Sequence, residues 1–127
     1  MCNDNIVKYP KLYEDEDIQI GDLIELNDEK DKVYLSRYRC KWNTNNIIGI
    51  CTKVEDNIIT IMNSGICDVN VTGIICIGDK LTLSKKPGKL KALQYEQNTT
   101  TFAIPSIGKV IGLYKQYNKA KILLNIR

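Results

Sequence analysis

A nine-residue pattern that occurs twice constrains the fold of this chain more than any other feature. Residues 18–26 and residues 75–83 both read Ile-x-Ile-Gly-Asp-x-apolar-x-Leu, at an offset of 57 residues. Residues 46–50 and 109–113 also resemble each other, with glycines at positions 49 and 112 and an offset of 63. We therefore expect six extra residues in the second copy, within the polar loop 96–101. Two copies of one unit, at 18–63 and 75–126, predict a compact β-fold whose halves pack face to face.

The composition favours strands over helices. The chain has 19 Ile, 6 Val and 8 Thr against 3 Ala and 2 Met, a balance that suits a pleated sheet. Its 127 residues suffice for one domain with a core and leave no room for a second. We expect an all-β fold, either a small barrel or a two-sheet sandwich, as a single domain over residues 18–127.

Local patterns place turns and buried faces along this domain. Residues 55–57 separate two β-branched runs and predict a hairpin, and Pro87-Gly88 predicts a tight turn. Residues 66–72 alternate, with Cys67, Val69 and Val71 on the face expected to be buried. The same alternation predicts a core made of Ile20, Ile24, Leu26, Ile48, Ile50, Ile59, Ile61, Val69, Val71, Ile77, Leu81, Leu83, Ile111, Leu113, Ile122 and Leu124.

The net charge of +3 conceals an acidic start and a basic body. Residues 1–31 contain three Lys and ten acids, a net charge of −7, whereas residues 32–127 contain fifteen Lys or Arg and five acids, a net charge of +10. Residues 1–17 are interpreted as an acidic N-terminal arm with apolar anchors at Tyr9, Leu12 and Tyr13, which dock on a neighbouring subunit or on the same chain. The alternative interpretation of the charge division is a solvated surface.

The sequence offers no signal for export, metal binding or disulfide formation. The N-terminus lacks the features of a signal peptide and no run is long enough for a membrane span, so we expect no membrane partner and synthesis in a cytoplasm-like compartment. Five cysteines, with no histidine and no Cys-x-x-Cys pair, are expected to act as small apolar residues, with metal and disulfide as the alternatives. They are Cys2, Cys40, Cys51, Cys67 and Cys76.

Enzymatic chemistry is not expected. The absence of histidine removes the usual general base and the Ser-His and Cys-His pairs, and no glycine-rich phosphate loop is present. The repeated Gly-Asp steps are interpreted as turns, with Gly for backbone freedom and Asp for a side-chain bond to the turn. We predict no catalytic, cofactor-binding or metal-binding residue.

A nucleic-acid-binding module is the second hypothesis. Residues 37–42 interleave basic and aromatic residues, as a single-strand-binding β-barrel does, and the predicted contact residues are Arg37, Arg39, Lys41 and Trp42. The acidic N-terminal third argues against this interpretation because it would repel phosphate unless it folds away.

The order of several motifs resembles β-rich domains of tailed-phage virion proteins. These motifs are Val-Thr-Gly at 71–73, Ile-Gly-Asp-Lys-Leu-Thr-Leu-Ser at 77–84, Pro-Gly at 87–88, and the Ile-Gly steps at 107–108 and 111–112. The resemblance, to C-terminal regions of tail appendages and to capsid decoration proteins, covers residues 18–127. It implies a non-enzymatic structural protein of a phage or prophage particle, usually a homotrimer without a cofactor, in contact with other virion proteins.

The resemblance also implies a location, and this sequence departs from the family in one respect. It implies a protein of the virion that assembles in the bacterial host cytoplasm. Some appendage domains of this type cleave themselves from the protein that they help to fold, but no cleavage nucleophile with a partner base is evident in this sequence. The initial Met and the lack of a long fibre region ahead of the domain lead us to expect a free-standing accessory protein and not a severed fibre tip.

Overall fold

The structure, a computed structural model, describes residues 5–37, 46–93, 106–115 and 118–126. Within these ranges the chain forms ten β-strands and no helix. The first five are β1 (Ile6–Pro10), β2 (Leu23–Leu26), β3 (Val33–Leu35), β4 (Ile47–Glu55) and β5 (Ile58–Met62). The second five are β6 (Ser64–Asn70), β7 (Lys80–Leu83), β8 (Leu90–Ala92), β9 (Gly108–Leu113) and β10 (Lys119–Asn125).

The strands form two five-stranded antiparallel sheets, one from each half of the chain. The strand order is β1-β5-β4-β2-β3 in the first sheet and β6-β10-β9-β7-β8 in the second. The predicted all-β class is confirmed. In the described part of the chain neither sheet closes into a barrel, so the two-sheet sandwich is the predicted architecture that fits.

The two sheets are built as copies of one five-stranded unit. Each strand of the first sheet has a counterpart at the same place in the second, from β1 and β6 through β5 and β10. A parallel bridge also joins the residue after the first strand of each unit to its third strand, Lys11 to Val33 and Val71 to Leu90. The first unit therefore begins at β1, which lies within the segment 1–17 interpreted above as an arm and pairs with β5 along its whole length.

The strand register corrects the predicted alignment of the later glycines. Ile24 lies opposite Gly49, and its counterpart Leu81 lies opposite Gly108, so Gly49 corresponds to Gly108 and not to Gly112. At both positions an added Cβ would clash with a backbone oxygen of the next strand, that of Met62 in the first unit and that of Leu123, at 2.7 Å, in the second. The offset here is 59 residues (49 to 108), and the prediction of six extra residues before this glycine is wrong.

Each unit surrounds its own apolar cluster, and the clusters adjoin at β2. The first cluster contains the buried residues Ile18, Ile24, Val33, Cys51, Ile59 and Ile61. The second contains Val69, Val71, Leu81, Leu83, Leu90, Ile107, Val110, Ala120, Ile122 and Leu124, together with Leu23, Ile47 and Ile50 from the first unit. Because successive side chains of a strand point to opposite faces, β2 places Ile24 in one cluster and Leu23 in the other. Each such side chain stabilises the fold by about 1.5–3 kcal/mol when fully buried.

Most of the predicted core is confirmed. Ten of the sixteen residues are buried: Ile24, Ile50, Ile59, Ile61, Val69, Val71, Leu81, Leu83, Ile122 and Leu124. Leu26 and Ile48 are partly buried against the first cluster.

Four predicted core residues are exposed, and the prediction is wrong for each. Ile20 and Ile77 lie immediately before the glycines of the Gly-Asp turns and are exposed, whereas Ile18 reaches the core. In β9 burial does alternate with period 2, but Val110 lies on the buried face, and Ile111 and Leu113 lie on the opposite one. A slip of one residue turns every side chain of a strand to the opposite face, so one wrong choice of face misplaces both residues.

Candidate assembly surface

The predicted arm anchors lie against the first sheet of their own chain. Tyr9 belongs to β1, pairs with Ile59 and packs partly buried on the first apolar cluster. The Leu12 N–H donates a hydrogen bond to the Val33 carbonyl oxygen at 2.8 Å, and the Leu12 side chain is half-buried. Tyr13 is the most exposed of the three, at 44%. Two of the three anchors therefore contribute to the fold of the first unit.

Arg37, the first residue of the predicted basic and aromatic patch, is engaged within the chain. Its guanidinium lies 5.2 Å from the Tyr13 ring centroid and 5.3 Å from that of Tyr34, and the two rings make an edge contact at 6.2 Å. The Glu16 carboxylate is 3.6 Å from the same guanidinium, and its other oxygen accepts the Leu35 N–H at 2.9 Å. Part of the acidic segment is thus folded onto the end of β3.

The other predicted patch residues lie outside the described residues. They are Arg39, Lys41 and Trp42. The structure therefore brings only Arg37 of this group into view, and it pairs that cation with an acid and two tyrosine rings.

The two Gly-Asp turns, residues 19–22 and 76–79, have the same geometry. In each, the aspartate carboxylate accepts the backbone N–H three residues earlier, at 3.0 Å in the first turn and 2.9 Å in the second. The preceding glycine has a positive φ, 96° in the first turn and 92° in the second, which L side chains rarely adopt. The predicted roles of Gly and Asp in these turns are confirmed.

The surroundings of the two turns differ. Asp22 is 1% exposed, because the second unit covers it: the Asn70 amide and the Lys89 ammonium each donate to its Oδ1 at 2.8 Å. Asp79 is only partly buried, and nothing lies within 4 Å of where a Cβ on Gly78 would be. The first turn is therefore part of the contact between the two units, and the second lies at the surface. We call this contact the joint; it involves residues 19–23 and 36 of the first unit and residues 70 and 84–89 of the second.

Backbone contacts extend the joint on both sides of Asp22. The Leu23 N–H donates to the Gly88 carbonyl at 2.8 Å, and the Gly88 N–H donates to the Ser36 carbonyl at 3.1 Å. The Asn70 N–H donates to the Gly21 carbonyl at 2.9 Å. The alternation of residues 66–72 predicts that Asn70 faces solvent, but Asn70 is 7% exposed because it bonds to this turn.

The outer face of the second sheet carries an exposed apolar patch. Ile66 and Leu123 are cross-strand neighbours and are 60% and 50% exposed, and Ile111 on the adjoining strand is 41% exposed. Beside them the Tyr114 hydroxyl donates to the Asp68 carboxylate, and this hydrogen bond raises the pKa of Tyr114. Sequence reasoning missed this patch because it assigned Ile111 to the core.

The buried position at the centre of β2 and β7 carries a polar residue in both units. Glu25 in β2 is fully buried and accepts the Arg37 N–H at 2.9 Å. Its counterpart in β7 is Thr82, whose buried hydroxyl oxygen has no hydrogen-bond partner among the described residues. A buried hydroxyl without a partner destabilises the fold.

The described cysteines are free thiols. Burial raises the pKa of the Cys51 and Cys67 thiols to about 11, and Cys76 is exposed. Cys2 and Cys40 lie outside the described residues. Where the chain is described, no group of three or more His, Cys, Asp or Glu side chains is placed to hold a metal ion. The same ranges contain no helix long and apolar enough to cross a membrane.

Comparison of the chain with known protein families, with curated proteins and with solved structures found no match. Function is therefore inferred from the surfaces of the chain itself.

Proposed function

We propose that this chain is a non-enzymatic structural protein of a phage or prophage particle, either a capsid decoration protein or a tail appendage protein. The observation that carries the proposal is the apolar patch of the second sheet, where Ile66, Ile111 and Leu123 are 41% to 60% exposed. Exposed apolar areas of this kind mark surfaces that contact other proteins. The resemblance of residues 18–127 to virion domains supports a particle protein as the partner.

The proposed active form is a symmetric homotrimer that assembles in the host cytoplasm and joins the virion. Two features support assembly: the opposed charges of residues 1–31 and 32–127, and the apolar patch, which a single copy leaves in water. Light scattering of the purified protein at micromolar concentration is expected to give three times the chain mass. A monomer at that concentration would overturn the proposed self-assembly.

A matched pair of variants tests the role of the patch. Ile66 in β6 and Ile6 in β1 occupy equivalent positions, opposite Leu123 and Met62 respectively, and Ile6 is 41% exposed. We expect Ile66→Lys to abolish co-sedimentation with particles that lack the protein, and Ile6→Lys to retain it. Equal binding by both variants would contradict the assignment of the patch.

The particle assignment has its own test. Mass spectrometry of virions purified from a bacterial host that carries this coding sequence should detect the chain at a stoichiometry set by the particle symmetry. Its absence from such virions would exclude a virion role.

Single-stranded nucleic-acid binding has less support. Arg37 is held by the Glu16 carboxylate and by two tyrosine rings, so its charge is partly neutralised within the chain. A salt-dependent gel shift with a single-stranded oligonucleotide would favour this alternative, because phosphate contacts weaken steeply as salt rises.

A further inference from the structure

The joint between the units joins two different faces. The first unit contributes its turn face, residues 19–23, and the second unit contributes its hairpin face, residues 84–89 between β7 and β8. The Asp22 to Lys89 ion pair at 2.8 Å and the Leu23 N–H bond to the Gly88 carbonyl at 2.8 Å connect them. Because the faces differ, each chain keeps one turn face, residues 76–80, and one hairpin face, residues 27–32, outside the joint.

The two remaining faces repeat the residues that form the central ion pair. Asp79 occupies the place of Asp22, since each carboxylate accepts the N–H three residues earlier. Lys32 occupies the place of Lys89, since the two hairpins close with equivalent bonds, Asn27 N–H to the Lys32 carbonyl and Ser84 N–H to the Lys89 carbonyl. The second pair of faces thus offers the same carboxylate and the same ammonium.

Next to this pair, the turn face outside the joint has lysines at positions where the joint has buried apolar residues. Lys80 and Lys109 are exposed cross-strand neighbours and occupy the places of Leu23 and Ile50, which are fully buried in the joint. The free hairpin face carries three exposed acids, Asp28, Glu29 and Asp31, and two exposed lysines, Lys30 and Lys32, so its net charge is −1 (two lysines minus three acids). A basic turn face and an acidic hairpin face are electrostatically complementary.

We propose that copies of this chain associate head to tail, with the 27–32 hairpin of one copy seated on the 76–80 turn of the next. Asp79 then pairs with Lys32 of the neighbouring copy, and Lys80 and Lys109 face its acidic hairpin. The inference rests on the self-assembly proposed above and specifies its interface. A contact between two different faces closes into a ring when the rotation between copies permits it.

This contact is weaker than the joint that it repeats. Pro10 occupies the place of Asn70, since Pro10 pairs with the first residue of β5 and Asn70 with the first residue of β10, and proline has no N–H to donate to the turn. The contact also replaces apolar burial by charges at the protein surface, which salt screens. We therefore expect association that is reversible and that weakens between roughly 0.05 and 0.5 M salt.

Charge exchange tests the proposed pair. Asp79→Lys and Lys32→Asp should each weaken self-association at least about tenfold, because each places like charges opposite one another. The double variant Asp79→Lys with Lys32→Asp should recover most of the association, which a variant that had merely lost its fold could not do. Glu55→Lys is the control, since it makes the same charge change on the exposed end of the β4–β5 hairpin and should associate normally.

Sedimentation velocity of the full chain at micromolar concentration and low salt is the measurement. The interface is supported if both single variants associate weakly and the double variant recovers the association. If the unaltered protein associates and both single variants associate equally well, the interface is wrong and the proposed self-assembly stands. If the unaltered protein is a monomer, both the self-assembly and this interface are overturned.

Discussion

Replacing each repeated aspartate by alanine measures what the joint adds to an otherwise identical turn. Asp79→Ala removes one hydrogen bond, from a backbone N–H to a partly exposed carboxylate, and should lower the free energy of unfolding by about 1 kcal/mol. Asp22→Ala removes the same bond and also the acceptor of the buried Asn70 amide and of the Lys89 ammonium. Losing a buried charged partner is more costly than losing an exposed one.

The expected destabilisation by Asp22→Ala is about 3 kcal/mol, at the lower end for a broken buried pair. The lower end applies because the Lys89 side chain is 30% exposed and regains water, and because the Asn70 amide still donates to the Ile20 carbonyl at 3.0 Å. The difference between the variants, about 2 kcal/mol, is roughly a thirtyfold change in the unfolding equilibrium.

Urea unfolding followed by circular dichroism, at a concentration low enough to exclude association, measures both values. The two aspartates are each other's control, since the turns have matching bonds and matching glycine conformations. Equal destabilisation by the two substitutions would show that the joint contributes nothing beyond the turn, and would refute the reasoning.

Three further predictions concern the interior of the sheets. Gly108→Ala should lower the free energy of unfolding in urea by at least about 2 kcal/mol, because the new Cβ would lie 2.7 Å from a backbone oxygen. Gly112→Ala, whose new Cβ has its nearest contact at 3.4 Å, should be nearly neutral, and the reverse order would restore the sequence-based alignment. Thr82→Val should raise the thermal midpoint and stabilise the fold by about 1 kcal/mol, since it removes a buried hydroxyl without a partner among the described residues, and a loss of stability would reveal a hidden partner. The thiol pKa rises from 9.0 in the unfolded chain to about 11 at Cys51 and Cys67, so the free energy of unfolding should fall as pH rises from about 9 to 11. Both thiols should also resist alkylation at neutral pH, and rapid alkylation of either would contradict their burial.

Local chemistry in the sequence determined the class of fold and the position of its turns. β-branched composition predicted strands, and residues 55–57 and 86–89 supplied turn residues between them, as the Asp56 φ of 53° and the Lys89 N–H bond to the Lys86 carbonyl confirm. The alternation of residues 66–72 identified Val69 and Val71 as buried. These features depend on a few consecutive residues, which is why they could be predicted without the fold.

Only the tertiary structure decided which residues face another unit. The two Gly-Asp motifs are locally identical, yet Asp22 is buried and Asp79 is partly exposed, because only the first turn is covered by the unit that follows it. The same holds for the later glycines: of two Ile-Gly steps four residues apart, the one at 111–112 has the more similar neighbours, yet strand pairing selects Gly108. Hydrogen-bond register and contact between units depend on residues far apart in the chain, and a local pattern carries no information about which of its copies will have a partner.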